Sequence, residues 1–104
     1  MKHTEQQIKE IALKVMNDIE FDYDKEIGIN YVGFDKSKDI RRGIFSGKSI
    51  PVWLFSFEFG KPYFAPEALF LTISDETGEP LYFQHSTAVV EIEKDNNRKY
   101  YKKA

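Results

Sequence analysis

The chain has no cysteine, which excludes disulfide staples, thiol nucleophiles and thiolate metal sites. It has two histidines, and one of them, His3, is at the terminus. Three convergent ligands are therefore hard to assemble, and neither metal nor cofactor is implied. No apolar run approaches the ~20 residues that cross a bilayer, so no membrane partner is expected. The opening Met1-Lys2-His3-Thr4 leads into an amphipathic stretch and not an apolar one, so the expectation is a cytoplasmic protein without an export leader. There is no phosphate loop, no dinucleotide fingerprint and no nucleophile-elbow setting for Ser46, Ser49 or Ser86.

Charge of one sign is also lacking, since the net formal charge is −2. It hides blocks: 1–35 carry 4 basic and 8 acidic groups, 36–48 carry 5 and 1, 49–95 carry 2 and 8, and 96–104 carry 4 and 0. A duplex-binding protein shows a larger basic surplus on an ordered face, so nucleic acid is disfavoured as a partner. The acidic run Glu20 to Glu26 fails as a calcium loop, because counting from Asp22 puts Ile27 at position six and Gly33 at position twelve.

What the chain does have is 41% apolar and 15% aromatic residues over 104 positions, enough for one packed domain. Its organising stretch is Pro51 to Gln84. Trp53, Phe55, Phe57 and Phe59 recur at every second position, the period of a half-buried strand. Leu69, Leu71 and Ile73 repeat the pattern before Asp75-Glu76-Thr77-Gly78, and Leu81 and Phe83 resume it after. A three-residue loop Glu76-Thr77-Gly78, with Gly78 left-handed, pairs Ile73 with Leu81 and Leu71 with Phe83. A four-residue loop would pair Ile73 with Pro80, which matches the apolar faces less well.

Upstream, Thr4 and Gln7 form a capping box, and Ile8, Ile11, Ala12, Val15, Met16 and Ile19 make an apolar stripe. This predicts a helix over 5–20. Ile27, Ile29 and Tyr31 predict a first strand over 26–34, with a bulge or fraying at Gly33. Residues 35–49 read as a polar connection in which Ile40, Ile44 and Phe45 fold back onto the core. Thr87 to Glu93 predict a last strand, and 96–104 a frayed basic tail after a single domain over 1–95.

The fold class that follows is α+β, with one N-terminal helix packed on one face of a curled antiparallel meander of 4–5 strands. The helix covers the face carrying Trp53, Phe55, Phe57, Phe59, Leu69, Leu71, Ile73, Leu81 and Phe83. The opposite face carries Val52, Leu54, Phe70 and Tyr82 among Ser56, Glu58, Thr72, Ser74 and Gln84. Such a patch calls for a partner, which a second copy could supply, unless loop 35–49 or the tail lies over it. Arg41 and Arg42 could grip a carboxylate or phosphate. No catalytic residue stands out. His85 on the apolar face, with Glu67 and Thr87 near it, offers at most a base at a pocket mouth, and a structural histidine is the stronger reading.

The turn Ser74-Asp75-Glu76-Thr77-Gly78-Glu79-Pro80-Leu81 after an alternating strand resembles the ending of PepSY-type domains, small inhibitory or interaction modules. The layout of a capped helix and a Trp-bearing strand is similar to cystatin-like and nuclear-transport-factor-two-like folds, some of whose members are immunity proteins that neutralise toxins. The reading that follows is a non-catalytic binding domain acting through the back of the sheet or the acidic rim at Asp22 and Asp24, and the resemblance implies an inhibitory or immunity-type role for it. Its alternative is a small-ligand or enzyme pocket between helix and sheet near Trp53, Phe57 and His85.

Overall fold

The computed structural model describes residues 2–41, 45–59, 67–85 and 88–103. The chain begins with the capping box. Thr4 Oγ1 accepts from the Gln7 amide at 3.1 Å, and Gln7 Oε1 accepts from the Thr4 amide at 2.9 Å. These bonds satisfy donors that the first helical turn would otherwise leave unpaired. Helix α1 is Glu5–Asp18, and Ile8, Ala12, Val15 and Met16 are its buried stripe. It ends two residues before the predicted Glu20, without a glycine to mark the stop. Glu20 adopts φ of 57°, and the amides of Glu20 and Phe21 donate back to the carbonyls of Asn17 and Met16. That is a Schellman ending with glutamate at the left-handed position, where glycine is the usual residue.

Among the described residues six strands follow: β1 (Ile29–Asp39), β2 (Ser49–Phe59), β3 (Glu67–Ser74), β4 (Pro80–His85), β5 (Ala88–Lys94) and β6 (Tyr100–Lys102). They form one antiparallel meander in the order β1-β2-β3-β4-β5-β6, so the expected count of 4–5 is corrected to six. The added strand comes from the expected tail, where the aromatic ring of Tyr100 is buried and β6 pairs with β5. Among the described residues no helix is long and apolar enough to cross a membrane.

The apolar core lies between α1 and the front of the sheet. Trp53, Phe55, Phe57, Leu69, Leu71, Ile73 and Phe83 join the buried helical stripe there, as alternation predicts. The β3–β4 turn differs from expectation. The Ser74 amide donates to the Glu79 carbonyl and that of Gly78 to the Ser74 carbonyl, closing a four-residue turn with Gly78 at φ of 73°. Ile73 therefore faces Pro80. A bulge at Leu81 absorbs the extra residue, so Leu71 still meets Phe83. Leu81 is turned out of the front core and packs with the second cluster described below.

β1 also departs from the expected bounds. Its irregularities fall between Ile29 and Tyr31 and between Asp35 and Lys38, while Gly33 pairs regularly with Leu54. Glycine is needed there for another reason. The Tyr31 ring lies across Gly33, so a Cβ would come within 2.6 Å of the phenol oxygen. The strand runs on through Asp35 to Asp39 in charged residues, a composition suited to a sheet edge.

Candidate functional site

One helix covers one face, and the back face is built by the even-numbered residues of β2, β3 and β4. Val52, Leu54, Phe70 and Tyr82, widely spaced in sequence, converge there because antiparallel pairing sets Leu54 beside Thr72 and Thr72 beside Tyr82, with Phe70 beside Ser56. Together with Asp35, Lys38, Thr72 and Gln84 they line a groove of about 380 Å³. Its floor is partly polar but well packed: Ser56 and Thr72 are buried. Phe70 remains 42% exposed, and Tyr31, across Ser56 in the same cross-strand row, 54%.

The β1–β2 connection covers one end of this face and leaves the rest. Ile40, Ile50 and Val52 form a second buried cluster, with Phe45, Leu81 and Tyr82 packed against it. The loop is held by bonds from the Ile40 amide to the Lys48 carbonyl and from the Gly47 amide to the Ile40 carbonyl. Ile40 and Phe45 thus fold back as their apolar character suggests, and Ile44 lies outside the described residues. Arg41 is exposed beyond the groove, and its carbonyl accepts from Ser46 Oγ. Arg42 lies outside the described residues. Asp35 and Lys38 were missed as groove residues because β1 was expected to stop at Phe34. Their signal was the polar run Asp35-Lys36-Ser37-Lys38-Asp39, legible as an edge strand only once its pairing is known.

His85 stands on the other face, in an aromatic box. Its ring stacks on Phe83 at 5.8 Å between centroids and meets Phe59 at 5.8 Å and Phe21 at 6.1 Å. Glu67 is exposed at the start of β3, opposite Phe59, and Thr87 lies outside the described residues. The ion pairs found among the described residues involve neither His85 nor Glu67. At the acidic rim, Asp24 Oδ1 accepts from the amides of Glu26 and Ile27, so this carboxylate caps its own turn. Lys25 Nζ sits 4.0 Å over the Tyr23 ring.

The most buried carboxylate among the described residues was not anticipated. Asp75, 1% exposed, accepts from Trp53 Nε1 at 2.9 Å and from the amides of Lys2 and His3 at 2.6 and 3.1 Å. The His3 ring nitrogen Nδ1 lies 2.6 Å from the Asp75 carbonyl. Burial alone would raise the pKa of this carboxyl. The Trp53 indole N–H and the two backbone amides outweigh it and hold the group below its usual range. Asp75 therefore straps the N-terminus and the central tryptophan to the β3–β4 turn, which is a structural task.

A second ionic knot closes the far end of the helix. Asp18 accepts from Lys14 Nζ and from the Tyr100 amide, and Lys14 Nζ also donates to the Arg98 carbonyl. Tyr100 lies between the ammonium groups of Lys14 and Lys94, and burial followed by the nearby Glu79 carboxylate pushes its phenol up to about 12. Both knots are satisfied within the fold, while the back-face groove is open. Neither a known protein family nor a curated protein nor a solved structure matches the chain.

Proposed function

We propose that this protein is a non-catalytic interaction domain that engages a protein partner through the back of its sheet. The observation that carries this reading is the open groove lined by Val52, Leu54, Phe70 and Tyr82. Its apolar side chains sit on a rigid, hydrogen-bonded sheet, so ordering them on binding costs little entropy. Leu54, Phe70 and Tyr82 keep part of their surface open around the buried Val52, and contiguous exposed apolar surface of this kind usually has an occupant. An inhibitory or immunity-type role, as in the small domains this chain resembles, fits a site that holds a partner without transforming it.

The alternative, a ligand or catalytic pocket near His85, draws less support. Of the residues that would line it, Trp53 and Phe57 are packed into the core, and His85 is stacked among aromatic rings. The test is affinity capture from the native host's extract with three baits: wild type, the double variant Leu54→Lys with Phe70→Lys, and His85→Ala. The proposal expects a protein retained by wild type and His85→Ala and lost from the double variant. Equal recovery on the double variant, or selective loss on His85→Ala, would contradict it.

A further inference from the structure

The sheet has an edge at β1 and an edge at β6, and the chain treats them differently. β6 is three residues long and closes on Lys102, with Lys103 after it. β1 runs for 11 residues, and only part of it is guarded. From Asp35 to Asp39 the edge is charged, and the Ser37 amide is already taken by Asp35 Oδ1 at 2.9 Å. From Ile29 to Phe34 there is no charge and no proline, the devices that usually keep a foreign strand away.

The phase of the hydrogen bonds decides which of these residues face outward, since alternate residues of a strand bond to opposite neighbours. The Asp75 amide donates to the Pro51 carbonyl across from it, so the odd-numbered residues of β2 bond to β3. The even-numbered ones then face β1, as the Glu58 carbonyl does in accepting from the Asp24 amide. Tyr31, Gly33 and Asp35, opposite Ser56, Leu54 and Val52, therefore bond inward. Val32 and Phe34 direct their N–H and C=O groups out of the sheet, and no bond among the described residues takes them up.

We infer that this open half-edge takes an extended segment of a partner protein as an added strand, a contact separate from the groove on the back face. α1 packs chiefly over β3, β4 and β6, and leaves a cleft of about 500 Å³ between its Leu13 flank and Gly28 to Val32. Leu13 is 43% exposed there, and Ile27, just before the cleft, 46%. A strand laid along Val32 and Phe34 satisfies their outward groups and sends alternate side chains into the cleft beside Leu13. The rim holds one lysine and one glutamate, Lys9 and Glu10, and so favours neither sign. The occupant is therefore an uncharged segment with apolar residues at alternate positions. Main-chain bonds supply its affinity and the cleft its selectivity.

Selection of a phage-displayed library of random dodecapeptides on the full chain tests this, followed by calorimetric titration of the recovered peptides. Peptides with alternating apolar residues are expected to be enriched. The decisive variant is Val32→Pro, which deletes an outward amide and leaves the ladder to β2 intact. With circular dichroism confirming its fold, it should bind the peptide roughly 30-fold more weakly or worse, while Val32→Ala, which keeps the amide, retains most of the affinity. Leu13→Lys, at an exposed helical position, should weaken binding about tenfold. Amide hydrogen exchange supplies a readout without any variant. In the free protein Val32 and Phe34 should exchange fast and Gly33 slowly, and bound peptide should slow the first two. No enriched peptide, equal affinity for wild type and Val32→Pro, or fast exchange at Gly33 would overturn the inference. A peptide lost on Leu54→Lys and kept on Val32→Pro would belong to the groove and overturn it too. A chain that dimerises alone and becomes monomeric on Val32→Pro would give the edge to a second copy in place of a foreign strand.

Discussion

At the level of single residues, Trp53 and Asp75 tie β2 and the N-terminal segment to the β3–β4 turn. The indole donates to a carboxylate that also takes the amides of Lys2 and His3, so removing the acid leaves a buried N–H without a partner. Asp75→Ala should cost about 2–4 kcal/mol in urea unfolding, against about 1–2 kcal/mol for Trp53→Phe, which removes the donor instead. The pH dependence has a definite sign. The folded pKa of Asp75 lies below its unfolded value, so its contribution is present above the unfolded value, near 4, and is lost as pH falls through the lowered folded one. Unfolding free energy measured from pH 6 down to 2.5 should therefore fall more steeply for wild type than for Asp75→Asn. Parallel curves would deny the role. Nothing in the sequence marked this residue, because an aspartate in a turn beside glycine is ordinarily exposed and its partners are 22 and 72 positions away.

At the scale of elements, periodic residues were legible and compensating irregularities were not. The capping box and apolar stripe of α1 stand as read, and so do the aromatic alternation of β2 and the pairing of Leu71 with Phe83. The helix end and the β3–β4 turn were misread, since Glu20 takes a glycine's conformation and the Leu81 bulge cancels a four-residue turn. A bulge leaves the alternation on either side nearly intact, which hides it from a count of apolar positions. The sixth strand was hidden because Tyr100 and Tyr101 sit in a basic run whose lysines face water. Two measurements check these elements. Thr4→Ala should lower stability by about 1 kcal/mol through loss of the cap. In an alkaline titration Tyr100 should ionise late, because its phenol is pushed up to about 12 from 10.0, and Tyr101 is raised too by its bond to Glu93. A raised pKa means that this stabilisation is complete below pH 10 and fades as pH rises toward 12. If all tyrosines titrate together in the folded protein, β6 does not dock as described.

For the whole molecule, the decisive asymmetry is between a sheet face sealed by α1 and a face only partly covered by the β1–β2 hairpin. The four apolar groove residues were placed on one face by alternation alone. Their rim of Asp35 and Lys38 needed the register of β1, which two irregularities conceal. Gly33 belongs to this scale as well, because it lets the Tyr31 ring lie flat on the back face. Gly33→Ala should displace that ring and alter binding at the groove more than it alters the unfolding midpoint.

The measurement that bears most directly on the central claim is solvent paramagnetic relaxation of side-chain resonances in the dilute protein. Leu54 and Phe70 should relax strongly with a soluble probe, while Leu69 and Leu71, on the same strands or their neighbours but facing α1, should not. Equal protection of all four at a concentration where the chain is monomeric would contradict an open back face.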